Sequence, residues 1–268
     1  MNLRSFAVLM TTAATSLGLL GTAGAAVRAA DAAAVKPTIV LVHGAFAESS
    51  SWDGVIDVLS RDGYPVVAAA NPLRGVASDA ADVKAVLGSI RGPVVLVGHS
   101  YGGTVISAAA HGATNVKALV YVAAFAPAAG ETSLALTSRF PGSTLSNTLA
   151  TPVLLPSGAH DLYIDRAKFP HQFAADVPLA QGKRMAATQR PVVDAALNER
   201  SSVAAWTSLP SWSVYGTADL NIPPAALAFM AKRAHSKTIV IQGASHVIMV
   251  SHPKQGATVI EAAAEGGR

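Results

Sequence analysis

The chain predicts a doubly wound α/β domain: a mostly parallel sheet of about six strands, with helices on both faces and an inserted helical cap. Three observations carry this. From Pro37 onward, short apolar runs alternate with helical patterns. Those runs are rich in Val and Ile and lack polar alternation, as do strands buried on both faces. Hydrophobic residues make up 51% of the 268, against 13% charged, which supplies apolar surface for one large core and argues against disorder. No repeat with a period of about 20–50 residues is visible.

Before the domain, Met1-Asn-Leu-Arg4 carries positive charge, Phe6 to Leu20 is mostly apolar, and Ala23-Gly-Ala25 supplies small residues. These are the three zones of a secretory signal peptide spanning 1–25. The apolar stretch is interrupted by Thr and Ser and falls short of the roughly 20 residues a spanning helix needs. A secreted or periplasmic protein, cleaved near Ala25 and without a stable membrane span, is therefore expected. Residues 26–36 read as a flexible leader, and the folded domain is 37–268.

Strands are expected at Thr38–Val42, Tyr64–Ala69, Val94–Val97, Ala118–Val122, Ser213–Tyr215 and Thr238–Ile241. Between the first two, Trp52, Val55, Ile56 and Leu59 recur at helical spacing and stop at Asp62-Gly63. Further helices are expected over Ala80–Ile90, after residues 98–102, after Pro223-Pro224, and from Pro253 to Ala264; Pro suits a first helical turn because its nitrogen has no hydrogen to leave unpaired. Residues 127–209 break this rhythm. A structureless loop of that length does not suit a compact domain, so the segment reads as a cap of mostly short helices.

Gly98-His-Ser-Tyr-Gly102 lies directly after the strand Val94–Val97 and before a helix of small residues. Strand, Gly-x-Ser-x-Gly, helix is the arrangement of a nucleophile elbow, with the serine hydroxyl projecting above the sheet. Side chains at the flanking glycines would collide with neighbouring backbone. A serine nucleophile needs a base to take its proton and a carboxylate to orient that base. Asp219 follows one late strand and His246 follows the last, so both reach the sheet edge that carries Ser100, where open α/β sheets bind ligands. Asp194 is the alternative acid, but it lies within the cap. His43 reads as bracing the first loop, and His99 as pointing away from the reacting group.

An oxyanion hole requires backbone N–H donors. Tyr101, after the nucleophile, should supply one. Val42-His-Gly-Ala-Phe46 should supply the other, from Ala45 or alternatively Phe46. Phe46, Phe140, Tyr163, Phe169 and Phe173 are candidates for an apolar substrate pocket, with simple packing the competing role.

Cysteine is absent, which removes thiolate nucleophiles and cysteine-based metal sites. The eight histidines form no His-Glu-x-x-His pair, so no metal site is expected. The net charge of +4 comes from scattered Lys and Arg, without the basic runs and interleaved aromatics of a nucleic-acid groove.

Taken together, Leu41-Val-His-Gly-Ala-Phe46, Asn71-Pro72-Leu73, Val97-Gly-His-Ser-Tyr-Gly-Gly103, Ala118 to Pro127 and the tail from Ser245-His246 to Pro253 resemble the α/β-hydrolase superfamily. Within it, the chain is similar to short bacterial esterase-like members related to plant methylesterases and hydroxynitrile lyases. The resemblance covers residues 37–264 and implies a Ser100, Asp219, His246 triad with no metal and no organic cofactor. Serine at position 100 departs from the dehalogenase branch, which uses aspartate. No lysine lies near Asp219 or His246, which departs from the lyases. The expected activity is hydrolysis of small carboxylic esters through an acyl-enzyme on Ser100. The alternatives are lactones, amides or polyester fragments on the same triad, or a ligand-binding protein with a slow vestigial triad.

Overall fold

The computed structural model describes residues 35–266; the expected signal peptide and nearly all of the expected leader lie outside the described residues. The chain runs through β1 (Thr38–Val42), α1 (Asp53–Arg61), β2 (Val66–Ala69), α2 (Val76–Ser89), β3 (Val94–His99), α3 (Gly102–Ala109) and β4 (Val116–Val122). A segment of shorter elements follows: α4 (Ser133–Ser138), β5 (Val153–Leu154), β6 (His160–Leu162), α5 (Phe169–Phe173), α6 (Leu179–Thr188), β7 (Val192–Val193) and α7 (Asp194–Asn198). The chain returns through β8 (Ser211–Gly216), α8 (Pro224–Arg233), β9 (Lys237–Ile241), α9 (Ile248–Ser251) and α10 (Pro253–Gly266).

Six strands form one sheet in the order β2-β1-β3-β4-β8-β9, with every neighbouring pair parallel. Helix α3 rests on β1, β3 and β4, with α2 beside it; α10 rests on β3, β4 and β8, with α1 beside it. The sheet is thus covered on both sides. From β1 the chain steps outward to β2, then crosses back to place β3 on the other side of β1. The crevice at the carboxyl ends of β1 and β3 is therefore the topological switch point of the sheet, the place where doubly wound folds bind ligands.

Burial follows position in the sheet. Strands β3 and β8 are buried at every residue, and β1 and β4 at nearly every one. The expectation of burial on both faces fails at the two edges. In β9 the run Lys237–Val240 is exposed, with Ile239 at 43% and Val240 at 42%, and β2 is only partly covered. An edge strand has one neighbour instead of two. Strand β2 also begins later than the expected Tyr64. Pro65 accepts from the Ile39 N–H at 2.8 Å but has no N–H to return, so pairing starts at Val66.

Helix α1 ends where Asp62-Gly63 predicts. The Gly63 N–H donates to Ser60 O (3.0 Å) and the Tyr64 N–H to Leu59 O (2.9 Å), satisfying the last carbonyls. Helix α2 begins earlier than the expected Ala80. Its N-cap, Gly75, has no side chain to offer. Instead Glu199 accepts from the N–H groups of Val76 (2.7 Å) and Ala77 (2.9 Å), a carboxylate at a helix N-terminus supplied from far along the chain.

Residues 127–209, expected to be mostly helical, also hold a three-stranded antiparallel sheet in the order β5-β6-β7. Its strands are two or three residues long, too short for alternation to be visible in the sequence. Arg74 pairs with Asp161 at 2.7 Å, and Arg190 grips both oxygens of Glu48 at 3.1 and 3.0 Å. Such partly exposed pairs each contribute little. The apolar tie is α5, whose Phe169 and Phe173 are fully buried in the main core.

Candidate active site

Ser100 joins β3 to α3 at φ +54°, a left-handed conformation that a non-glycine residue adopts at a cost of about 1–3 kcal/mol. Neighbouring backbone holds it there. The Ser100 carbonyl accepts from Gly103 N–H (3.0 Å) and Phe125 N–H (3.1 Å). A Cβ on Gly98 would come within 2.7 Å of the Gly102 carbonyl group, and one on Gly103 within 2.2 Å of Phe125 O. The glycines let strand, turn and helix close to this distance.

Asp219 and His246 meet as expected, at the carboxyl ends of β8 and β9. His246 Nδ1–H donates to Asp219 Oδ2 at 2.7 Å, with both side chains fully buried. Asp219 Oδ1 accepts from the N–H groups of Asn221 (2.8 Å) and Ile222 (2.9 Å). The carboxylate is thus anchored on one oxygen and presents the other to the imidazole, which fixes the tautomer. His246 Nε2 is left with a lone pair and no hydrogen-bond partner among the described residues. The ring stands beside the elbow, its centroid 4.7 Å from that of His99, the residue before Ser100.

Gly44 brings the loop after β1 against the elbow: a Cβ there would lie 2.5 Å from Ser100 Cβ and 3.1 Å from Tyr101 N. Ala45 N–H and Tyr101 N–H, both beside Ser100, have no acceptor among the described residues. Phe46, the alternative donor, has its N–H committed to Arg190 O at 2.9 Å. The phenol of Tyr101 points away into the core, where it donates to Asp79 Oδ2 at 3.0 Å.

The two competing histidines have other work. His43 Nδ1–H donates to Gly44 O (3.0 Å), its Nε2 accepts from Asn71 N–H (3.1 Å), and Asn71 Nδ2 donates to His43 O (2.9 Å), so the ring braces its own loop. His99 Nε2–H donates to His246 O at 3.1 Å. Burial, and then the neighbouring His246, hold His99 well below the usual histidine range, so it stays neutral. Asp194 opens α7 and pairs with His160 at 3.5 Å, not with His246.

A cavity of about 470 Å³ opens over Ser100, Ala45, Phe46 and Tyr101. Its walls are largely apolar: Phe125 after β4, Leu134 and Phe140 from α4 and its exit, Leu145, Leu149, Leu162, Leu197 and Ile222. Of the aromatic pocket candidates, Phe46 and Phe140 line it. Tyr163, Phe169 and Phe173 do not: Tyr163 is half-buried elsewhere, and the other two are fully enclosed. Phe173 sits behind the site instead, edge-on to the His246 ring with centroids 5.0 Å apart. The aliphatic wall residues were not singled out by the sequence, because a cap leucine carries no signature that separates lining from packing. Among the described residues no cluster of His, Asp or Glu could hold a metal ion, and no helix is long and apolar enough to cross a membrane.

The sequence profile of the Alpha/beta hydrolase family matches residues 39–259, most of the chain. The chain belongs to this family. No curated protein matches this α/β hydrolase in sequence. Among solved structures, the α/β hydrolase is similar to a pyrethroid hydrolase from Sphingobium faniae JZ-2 at 23% identity, with 85% of this chain and 97% of that one covered and a TM-score of 0.68. It is similar to tomato methylketone synthase I at 18% identity, covering 87% and 99% with a TM-score of 0.73. A methylesterase from Arabidopsis gives 15% identity, 86% and 99% coverage and a TM-score of 0.72. At these identities the likeness is one of fold.

Proposed function

We propose that the protein is a serine hydrolase of small, uncharged carboxylic esters, with Ser100 as nucleophile, His246 as base and Asp219 as its orienting carboxylate. The observation that carries this is the buried Asp219–His246 pair, which leaves Nε2 as a free acceptor beside the elbow that presents Ser100. Neighbours named as a hydrolase and a methylesterase agree with the reaction class.

In the proposed reaction, Ser100 Oγ attacks the ester carbonyl carbon while its proton passes to His246 Nε2. The carbonyl π pair moves onto oxygen, where the N–H groups of Ala45 and Tyr101 receive the negative charge. Collapse of this intermediate breaks the bond to the alkoxy oxygen, which takes the proton from Nε2 and leaves as an alcohol. Water then attacks the acyl-enzyme with His246 again as base, releasing the acid and restoring the Ser100 hydroxyl. The substrate class follows from the wall. Its residues include one carboxylate, Asp194, and no Lys, Arg or His, so nothing there compensates an anionic acyl or alcohol group.

The test is turnover of short p-nitrophenyl esters by wild type and Ser100→Ala. The expected result is a loss in kcat of at least about 10⁴-fold. Equal turnover by the two proteins would refute the mechanism.

A further inference from the structure

Asp176 lies in the loop just after α5, on the segment between β4 and β8, and its side chain is largely covered (18% exposed). Both its oxygens face a single residue of the opposite loop. Ser245 N–H donates to Oδ2 at 3.1 Å, and the Ser245 hydroxyl donates to Oδ1. His252 Nδ1 stands 3.4 Å from Oδ2, at the far end of α9. Ser245 is itself buried and immediately precedes His246. A few residues before Asp176 on the same stretch, Phe173 meets the His246 ring edge-on, with centroids 5.0 Å apart. One short piece of the cap therefore touches the imidazole and also clamps the backbone next to it.

We propose that Asp176 is a positioning residue: through its two-point grip on Ser245 it sets where His246 Nε2 stands relative to Ser100. This rests on the hydrolase reading above for its catalytic consequence, but not for its geometric one. No partner within the core loops takes the Ser245 N–H or hydroxyl, so without Asp176 both groups lose their only acceptor in the described structure. The loop then keeps Asp219 on Nδ1 and His99 on the His246 carbonyl, but it loses its hold on the N-terminal side. A base displaced by a fraction of an ångström to one ångström retains substrate binding and loses rate, because the geometry of proton transfer is what suffers.

The experiment compares full-length wild type with Asp176→Ala, Asp176→Asn, Ser245→Ala and the double variant Asp176→Ala with Ser245→Ala in two readouts. The first is kcat and KM for p-nitrophenyl butyrate. The second, independent of turnover, is the low-field NMR signal of the His246 Nδ1 proton, assigned by its disappearance in His246→Gln. Asp176→Ala is expected to lower kcat by about 10–100-fold with KM changed less than about threefold, and to shift or broaden the His246 signal. Ser245→Ala should lower kcat in the same sense, and the double variant should be no worse than Asp176→Ala alone, because the two groups act as one. Asp176→Asn still accepts from the Ser245 N–H and can donate to its hydroxyl, so it should recover most of kcat and the wild-type signal. A folded Asp176→Ala with unchanged kcat and an unmoved His246 signal would overturn the proposal. If Asp176→Ala does not fold, Asp176→Asn and Ser245→Ala decide it: Ser245→Ala with wild-type rate and signal counts against the grip. If wild type itself turns over no ester, the hydrolase reading fails, and the NMR comparison still judges the position of His246.

Discussion

Around Ser100 the packing is backbone against backbone, whereas His246 is held by side chains that reach in from elsewhere in the chain. The elbow is held by carbonyl and N–H groups of Val122, Phe125 and its own helix, and by glycines that admit them. The histidine is held by Asp219 on its ring nitrogen, His99 on its carbonyl, Phe173 against its ring and Asp176 through the preceding serine. Ser100 is thus set by local chain geometry, which tolerates almost no added volume. His246 is set by contacts collected from three distant segments, and each contact can be altered singly.

The sharpest way to break this contrast is on the elbow side. Gly103→Ala places a Cβ 2.2 Å from Phe125 O and 2.9 Å from Ala124 Cβ, and neither can retreat without moving β4. The expected loss exceeds about 4 kcal/mol, read as a large fall in the urea midpoint or as failure to recover folded protein. Gly88→Ala in α2 is the control. Nothing lies within 4 Å of its would-be Cβ, so the same change there should be neutral or stabilise by up to about 1 kcal/mol. Equal stability of the two variants would remove the idea that backbone contact fixes the elbow.

The same contrast explains what was legible in the sequence. A structure made of local backbone geometry leaves a local trace: the Gly-x-Ser-x-Gly run, the Val-rich strands and the Asp62-Gly63 stop all point to elements observed at those places. The pairing of Asp219 with His246 was legible because each follows a strand that ends at the same edge. The Asp176–Ser245 grip joins residues 69 apart, and the His99–His246 bond residues 147 apart. No spacing rule announces either. The edge exposure of β9, the small sheet of β5 to β7 and the carboxylate of Glu199 on α2 escaped for the same reason. Each depends on which neighbour tertiary packing supplies, not on the residues of the element itself. Phe169 and Phe173 show the limit from the other side: aromatic character marked them as notable, but only packing decided between wall and core.

A smaller effect tests the histidine side. His99 is buried and neutral, its affinity for a proton lowered by burial and by His246. In the unfolded chain the same imidazole takes a proton below about pH 6.5. The unfolded state therefore binds more protons in the window below that pH, and stability falls as pH drops through it, by up to about 1.4 kcal/mol per pH unit for one such group. Above about pH 6.5 the contribution is complete. Burial lowers His43 in the same direction. In His99→Gln the residue at 99 no longer titrates, so the variant, less stable than wild type at pH 7.5, should lose less on acidification to pH 5.5. Parallel stability curves for the two proteins across that range would show that His99 is not held neutral.

Covalent capture decides whether Ser100 is the nucleophile activated by His246. Incubation with a p-nitrophenyl alkylphosphonate should release one equivalent of p-nitrophenol, and peptide mapping by mass spectrometry should place the phosphonyl group on Ser100 alone. His246→Gln should slow that labelling by orders of magnitude in folded protein. Labelling at another residue, or labelling at Ser100 that proceeds equally fast without His246, would show that His246 does not activate a nucleophile at Ser100.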